Sequence, residues 1–229
     1  MYFHKVCFLL NFGNELYEEN ELPNCYLVFY ELEWPLIYFY SVQTNFMKNS
    51  EVPGILIAMP TLDGTFFEKS VILLCNYDED GAFGLVMNHP SKTKVKEVLS
   101  DEMQNNTAFD IPLLVGGPVQ PESFWAVHSS DFSVKETTVL SKKIHLSSAQ
   151  DILNSLAEGK KVKSYHFGSG YSGWGAGQLD REIQEESWWL GPLDESLLLN
   201  LDYELRWETT MNNLGFDPLT TAFTQTGLV

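Results

Sequence analysis

Apolar and polar residues take on the pattern of a folded domain from about residue 54. "GILIAM" (54–59) is a dense apolar run between Pro53 and Pro60, with the length and composition of a buried strand. "SVILLCNY" (70–77) and "AFGLVMN" (82–88) are two more, separated by "DEDG". Asp78, Asp80 and Gly81 supply turn chemistry, which predicts an antiparallel hairpin. Val95, Val98 and Leu99 fit one face of a short helix, and "NNTAFD" (105–110) reads as loop. "PLLVGGP" predicts a strand stopped by Gly116-Gly117-Pro118, and "SFWAVH" (123–128) the next strand, the two forming a second hairpin. "TTVL" and "KIHL" read as further short strands.

The second half alternates helices with strands. Ser147 and Gln150 have capping-box spacing ahead of Ile152, Leu153 and Leu156 on one helical face, and Gly159 ends that helix. "VKSYHF" (162–167) returns as a strand, "QLDREIQEES" as a helix and "WWLG" as a strand. A last helix carries Tyr203, Trp207, Met211 and Leu214 at helical spacing, with Gly215 at its C′ position and Pro218 beyond. No repeat or low-complexity linker divides residues 47–229. The pattern predicts one α+β domain, largely antiparallel, with helices packed on the sheet.

Residues 1–46 break this pattern. They hold 13 of the chain's 31 aromatic residues and contain no Ala, Arg or Asp. "VCFLLNFG" lacks the basic flank and small-residue cleavage site of a signal peptide. "CYLVFYELEWPLIYFY" contains Glu31, Glu33 and Pro35 and is shorter than the roughly 20 apolar residues of a membrane span. The segment reads as an atypical extension outside the fold, with Met47 as the natural start of the domain.

Charge and cysteine usage narrow the function classes. The net charge is −17, whereas phosphate-backbone binders carry a basic balance or stripe. Lys92, Lys94, Lys96, Lys142, Lys143, Lys160, Lys161 and Lys163 form small clusters among many carboxylates and read as solvated lysines. Direct nucleic-acid binding is therefore not expected, and the apolar stretches of residues 1–46 give no expectation of a membrane partner. Cys7, Cys25 and Cys75 are odd in number and scattered. They support neither a disulfide framework nor a zinc site, and suit a reducing, cytoplasmic compartment.

"HFGSGYSGWGAGQLDREIQEESWW" (166–189) contains G-x-G-x-x-G at Gly168, Gly170 and Gly173. A dinucleotide fingerprint needs its helix to begin within the glycines, so that phosphate meets free N–H groups. Here Gly175 and Gly177 follow, and each interior helical Gly costs about 1 kcal/mol relative to Ala. The run is expected to join a strand ending near Phe167 to a helix starting near Gly177, with Trp174 held against the sheet. No NAD, FAD or other cofactor is expected.

"LIAMPTLDGTFFEKSVILLCNYDEDGAFGLVMNHP", "LLVGGPV" and "GYSGWGAGQLDREI" together resemble the AlgH/YqgE family over roughly residues 54–216. The resemblance implies an α+β fold with a mixed, largely antiparallel sheet partly rolled into a barrel-like core and flanked by helices. It implies no defined biochemical activity. A label of transcriptional regulator has spread through the family from one member. The ending "LTTAFTQTGLV" departs from the family's small-residue C-terminus.

Chemistry-bearing residues are sparse. His4, His89, His128, His145 and His166 show no metal-ligand spacing, and His89, His128 and His166 read as structural. Cys75 lies in an apolar strand, where a thiol is inert. Asp180, Glu182, Glu185 and Glu186 read as the solvent face of a short helix. No catalytic residue is assigned. Two expectations remain: a non-enzymatic regulatory or binding protein with a protein or small-molecule partner, or an enzyme or sensor with a ligand cleft. That cleft would lie between the Gly116-Gly117-Pro118 turn and the loop carrying Gly170, Tyr171, Gly173 and Trp174, where both present free backbone N–H groups.

Overall fold

In the computed structural model, which describes residues 52–99 and 106–215, every residue of β1 (Gly54–Ala58) is buried. Ile55 and Ile57 enter one core while Leu56 and Ala58 enter another. A strand covered on both faces can be continuously apolar, which explains "GILIAM". The described residues all belong to one compact unit. The readings of residues 1–46 and of the C-terminal ending lie outside the described residues.

The remaining strands are β2 (Val71–Asp78), β3 (Gly81–Val86), β4 (Pro90–Lys94), β5 (Pro112–Val115), β6 (Val119–Ser129), β7 (Thr138–Val139), β8 (Ile144–Ser148), β9 (Tyr165–Gly175) and β10 (Trp188–Pro192). Among the described residues four α-helices follow in chain order: α1 (Ala149–Ala157), α2 (Gln178–Gln184), α3 (Glu195–Asn200) and α4 (Tyr203–Asn213). The sheet runs β10-β1-β2-β3-β9-β6-β8-β7, with β4 on β5 and β5 parallel to β9. All other pairings are antiparallel, and the sheet curls into a half-barrel.

The inner face packs Ile57, Leu73, Leu85, Trp125 and Trp189 against Leu197 and Leu198 of α3 and Trp207 and Met211 of α4. The Trp207 indole also donates to the carbonyl of Ala58 at 2.8 Å. The outer face has two separate cores. Helix α2 brings Leu179 and Ile183 onto the β1–β3 half. Helix α1 brings Ile152, Leu153 and Leu156 onto Ala126 and Phe167 of the β6–β9 half.

Four expectations are corrected. First, the strand expected to end near Phe167 continues through the glycine run to Gly175. Small residues suit a strand this crowded, since β9 pairs with β3, β5 and β6. Second, β5 and β6 form no hairpin, because β9 lies between them. Leu114 and Trp125 both pair with Gly168. Third, Ser147 does not cap α1; Ser148 occupies the N-cap, and the Ser147 hydroxyl lies 2.9 Å from His128 Nε2. Fourth, the carboxylates of α2 are not all solvated. Glu182 Oε2 accepts from the indoles of Trp174 and Trp188, each at 2.8 Å, and Asp180 accepts from the Tyr77 hydroxyl at 2.7 Å. The β2–β3 hairpin, the helix end at Gly159 and the helix start at Gly177 stand as expected.

Gly170 carries the one backbone angle on which β9 turns. Its φ is +69°, a region open to glycine and strained for other residues. Before it, Gly168 pairs with Trp125 and lies toward the inner face; after it, Tyr171 lies inward and Trp174 outward. Side-chain alternation thus slips by one at Gly170, as at a β-bulge. A Cβ there would also sit 2.5 Å from the Gly117 carbonyl oxygen. Gly170→Val is expected to lower stability on the order of 3 kcal/mol, against about 1 kcal/mol for Gly64→Ala, which shares the positive φ but faces open space. Urea midpoints check this; equal losses would mean that the Gly170 seam is not tight.

Candidate functional site

The expected cleft between the two glycine segments is occupied by the protein itself. Gly116, Gly117 and Gly170 do come together, but backbone to backbone. A Cβ on Gly117 would collide with the Tyr171 main chain, and one on Gly168 would fall on the Trp125 ring. The Trp125 indole lies across Gly116 and Gly168 and donates to the Gly170 carbonyl at 2.7 Å. The Gly116 N–H, expected to be available, donates to the Ser169 carbonyl at 2.8 Å, and its carbonyl accepts from the Val86 N–H at 2.9 Å. The seven candidate residues therefore divide. Gly116, Gly117 and Gly170 form the seam, and Trp174 is buried on the outer face. Pro118, Tyr171 and Gly173 reach the surface on or beside the inner face.

Beside that seam the inner face opens to solvent. Tyr171 pairs with Val119, and Phe83 pairs with Gly173. The Phe83 and Tyr171 rings meet at 5.2 Å and 57°. Both are half-buried, while Val119 is 36% exposed. Asn76 lies opposite Phe83 on β2 and donates to Asp78 at 2.7 Å. Asp78 Oδ1 accepts from the N–H groups of Asp80 and Gly81. With Asn76, these bonds hold its carboxyl below the usual carboxylate range. Next to Val119, the β6–β9 register jumps from Val119–Tyr171 to Phe124–Ser169. The intervening segment forms a bulge in which Gln120 has φ +47° and Pro121 follows it.

The buried polar groups are engaged in structure. His128 donates through Nδ1 to the Ser129 carbonyl at 3.0 Å, leaving Nε2 to accept from Ser147. His89 Nε2 lies 3.2 Å from Ser70 Oγ and 3.3 Å from the Glu68 carbonyl. A carbonyl only accepts, so Nε2 carries the proton and is not a base toward Ser70. Burial pushes the Cys75 thiol up to about 12. Among the described residues, no group of three or more His, Cys, Asp or Glu could hold a metal ion.

Sequence reasoning missed Arg206, which is 1% exposed. It donates to the carbonyls of Leu201 (2.9 Å) and Met87 and to His166 Nε2 (3.4 Å), with its guanidinium over the Tyr203 ring. The signal was present: Tyr203, Arg206, Trp207, Thr210 and Met211 share one helical stripe. With Nε2 accepting, His166 Nδ1 bears the proton and donates to the Tyr203 oxygen at 2.9 Å.

Burial, and then the Arg206 charge, push His166 from 6.5 down to about 4. The unfolded chain therefore takes up this proton first. Stability is expected to fall as pH drops from 6.5 to about 4 and to level off below, by on the order of 3 kcal/mol from this group. Urea unfolding of wild type and His166→Gln across that window checks it; parallel pH profiles would exclude His166 as the source.

The comparisons with known proteins agree with this architecture. The AlgH-like family matches residues 55–219. Similar curated proteins include a UPF0301 protein of Shewanella sp. (strain ANA-3), 36% identical over 168 residues, covering 71% of this chain and 90% of that protein. A UPF0301 protein of Shewanella frigidimarina is 38% identical over 167 residues, with the same coverage. The solution structure of the AlgH protein from Pseudomonas aeruginosa is 31% identical with a TM-score of 0.61, covering 77% of this chain and 93% of that one. A crystal structure from Corynebacterium diphtheriae, 23% identical with a TM-score of 0.57 over 74% of this chain and 91% of that one, shares the fold. The chain belongs to the AlgH-like family.

Proposed function

We propose that this protein is a non-enzymatic binding protein that works through contact with a protein partner at the open end of its inner face. The observation that carries this reading is the Phe83–Tyr171 ring pair, half-buried and continuous with exposed Val119 and Pro118. Aromatic rings fixed by strands offer a large contact area with little conformational entropy to lose. The neighbouring Gln120–Ser123 bulge supports the same reading. Gln120 has a left-handed angle, and its side chain accepts from the Ser123 hydroxyl at 3.2 Å, a bond that links the two ends of the bulge. A small-molecule cleft at the seam draws less support, because backbone and Trp125 fill that space.

A regulatory role would then run through protein contacts rather than direct DNA contact. Strands β2, β3, β6 and β9 contain no Lys or Arg, so this face offers nothing to a phosphate backbone. No helix among the described residues is long and apolar enough to cross a membrane.

The test is selection of binders from a displayed library of random peptides, followed by titration of the winners into wild type and Tyr171→Ser/Val119→Ser. The expected result is binding that weakens about tenfold or more in the variant, with circular dichroism and the melting transition retained. Winners that bind the variant equally, or a library that yields none, would overturn the reading.

A further inference from the structure

Resting on the docking face just described, we propose that its partner is a cationic segment, with an Arg or Lys side chain lying on a bare backbone shelf between the Phe83–Tyr171 rings and the Asp78 carboxylate.

The shelf follows from the strand register. Asp78 pairs with Gly81, Gly81 with Gly175, and Phe83 with Gly173. Successive residues of a strand alternate faces. Asn76 and Asp78 therefore share the inner face with Phe83, while Tyr77 points outward to Asp180. The inner row beyond the two rings is occupied by glycine at positions 81, 173 and 175. Gly173 and Gly175 are exposed. A Cβ on Gly173 would meet only the Tyr171 ring, at 3.3 Å, and one on Gly175 nothing nearer than Gln178 Oε1 at 3.9 Å. A Cβ on Gly81 would collide with the Trp174 carbonyl oxygen, but at Gly173 and Gly175 space for side chains exists and none is present. These two glycines thus differ from Gly116, Gly117, Gly168 and Gly170, which are required by close packing.

The charge around the shelf is one-sided. Asp78, Glu79 and Asp80 rim one end and Glu122 lies on the bulge beside Val119, all exposed. The four strands that build the face supply no cation. Asp78 remains ionised throughout the neutral range, held by Asn76 and two backbone N–H groups. Half-buried aromatic rings beside a fixed carboxylate suit a guanidinium or ammonium, whose apolar stem can lie along bare backbone. An anionic or phosphorylated partner meets repulsion at the same place. A second copy of this chain brings a net charge of −17 with it, which favours a basic partner over self-association.

The experiment uses the full chain and the same displayed peptide library, read for composition as well as for affinity. Selected peptides are expected to be enriched in Arg and Lys next to apolar residues and to bind less tightly as salt rises. Asp78→Asn retains the turn acceptor of the β2–β3 hairpin and removes the charge. It is expected to weaken these peptides about fivefold or more, and Gly175→Leu, which fills the shelf, to do the same. Both variants are checked for an unchanged melting transition. Peptides that depend on Tyr171 but carry no cationic bias, or are indifferent to Asp78→Asn and Gly175→Leu, would overturn the cationic partner and leave the docking face standing. Peptides indifferent to Tyr171, or no selected peptides at all, would overturn both. Self-association that competes with the peptides in analytical ultracentrifugation would assign the face to a second copy and also overturn the proposal.

Discussion

The fold depends on the close approach of the Trp125 indole to a strand that has no side chains where it lies. Gly116 and Gly168 leave the space, and the Gly170 carbonyl accepts the indole N–H. A buried Trp contributes through apolar area only if its N–H finds a partner, and this seam supplies both. Because β9 is stripped to glycine and serine at this point, β5 and β6 can pair with it along opposite edges. The slip at Gly170 then presents Tyr171 inward and Trp174 outward, so one strand serves the inner core and an outer core in turn.

Polar side chains in the interior serve the same packing. The indole N–H groups of Trp174 and Trp188 share Glu182, which ties α2 to the sheet. Arg206 ties α4 to the Met87 carbonyl after β3 and to His166 on β9, a polar clamp inside an apolar interface. No carboxylate accepts its hydrogen bonds among the described residues; carbonyls and a neutral imidazole do so. Burial lowers its pKa to about 10, which leaves it charged at neutral pH. Removing such a group costs more than its net contribution, since its partners stay buried. The polar interior is structural, and the proposed docking face lies where Phe83, Tyr171 and Val119 reach the surface.

Much of the fold was legible in the sequence because local rules governed it. "DEDG" specified its hairpin, Gly159 and Gly215 marked helix ends, and the apolar stripe of α4 gave its packing face. Long-range pairing was not legible. Gly116-Gly117-Pro118 read as a hairpin turn because nothing nearby shows that β9, some 50 residues later, inserts between β5 and β6. The glycine run read as a loop because glycine is a poor strand former in isolation; only a packed Trp on the facing strand makes it the better choice. Ser147 read as a cap, yet its hydroxyl serves His128 across a strand pair. Of the residues on the proposed docking face, Tyr171 and Gly173 were named in sequence as candidates for a ligand cleft, while Phe83 and Asp78 were not named as site residues. Their place beside Tyr171 depends on the β3–β9 register, which pattern alone does not give.

The glycine-rich segment forms a packed interior seam, and the proposed docking face lies beside it. Native-state hydrogen exchange measures this most directly, through the amides of Gly116 and Val86, which donate to Ser169 and Gly116 across the seam. Both amides are expected to exchange only with global unfolding, at the free energy given by denaturant titration, while exposed amides of the bulge at residues 120–123 exchange far faster. Exchange of Gly116 and Val86 through a low-energy local opening would contradict it, and would return the glycine segments to the role of a mobile ligand loop.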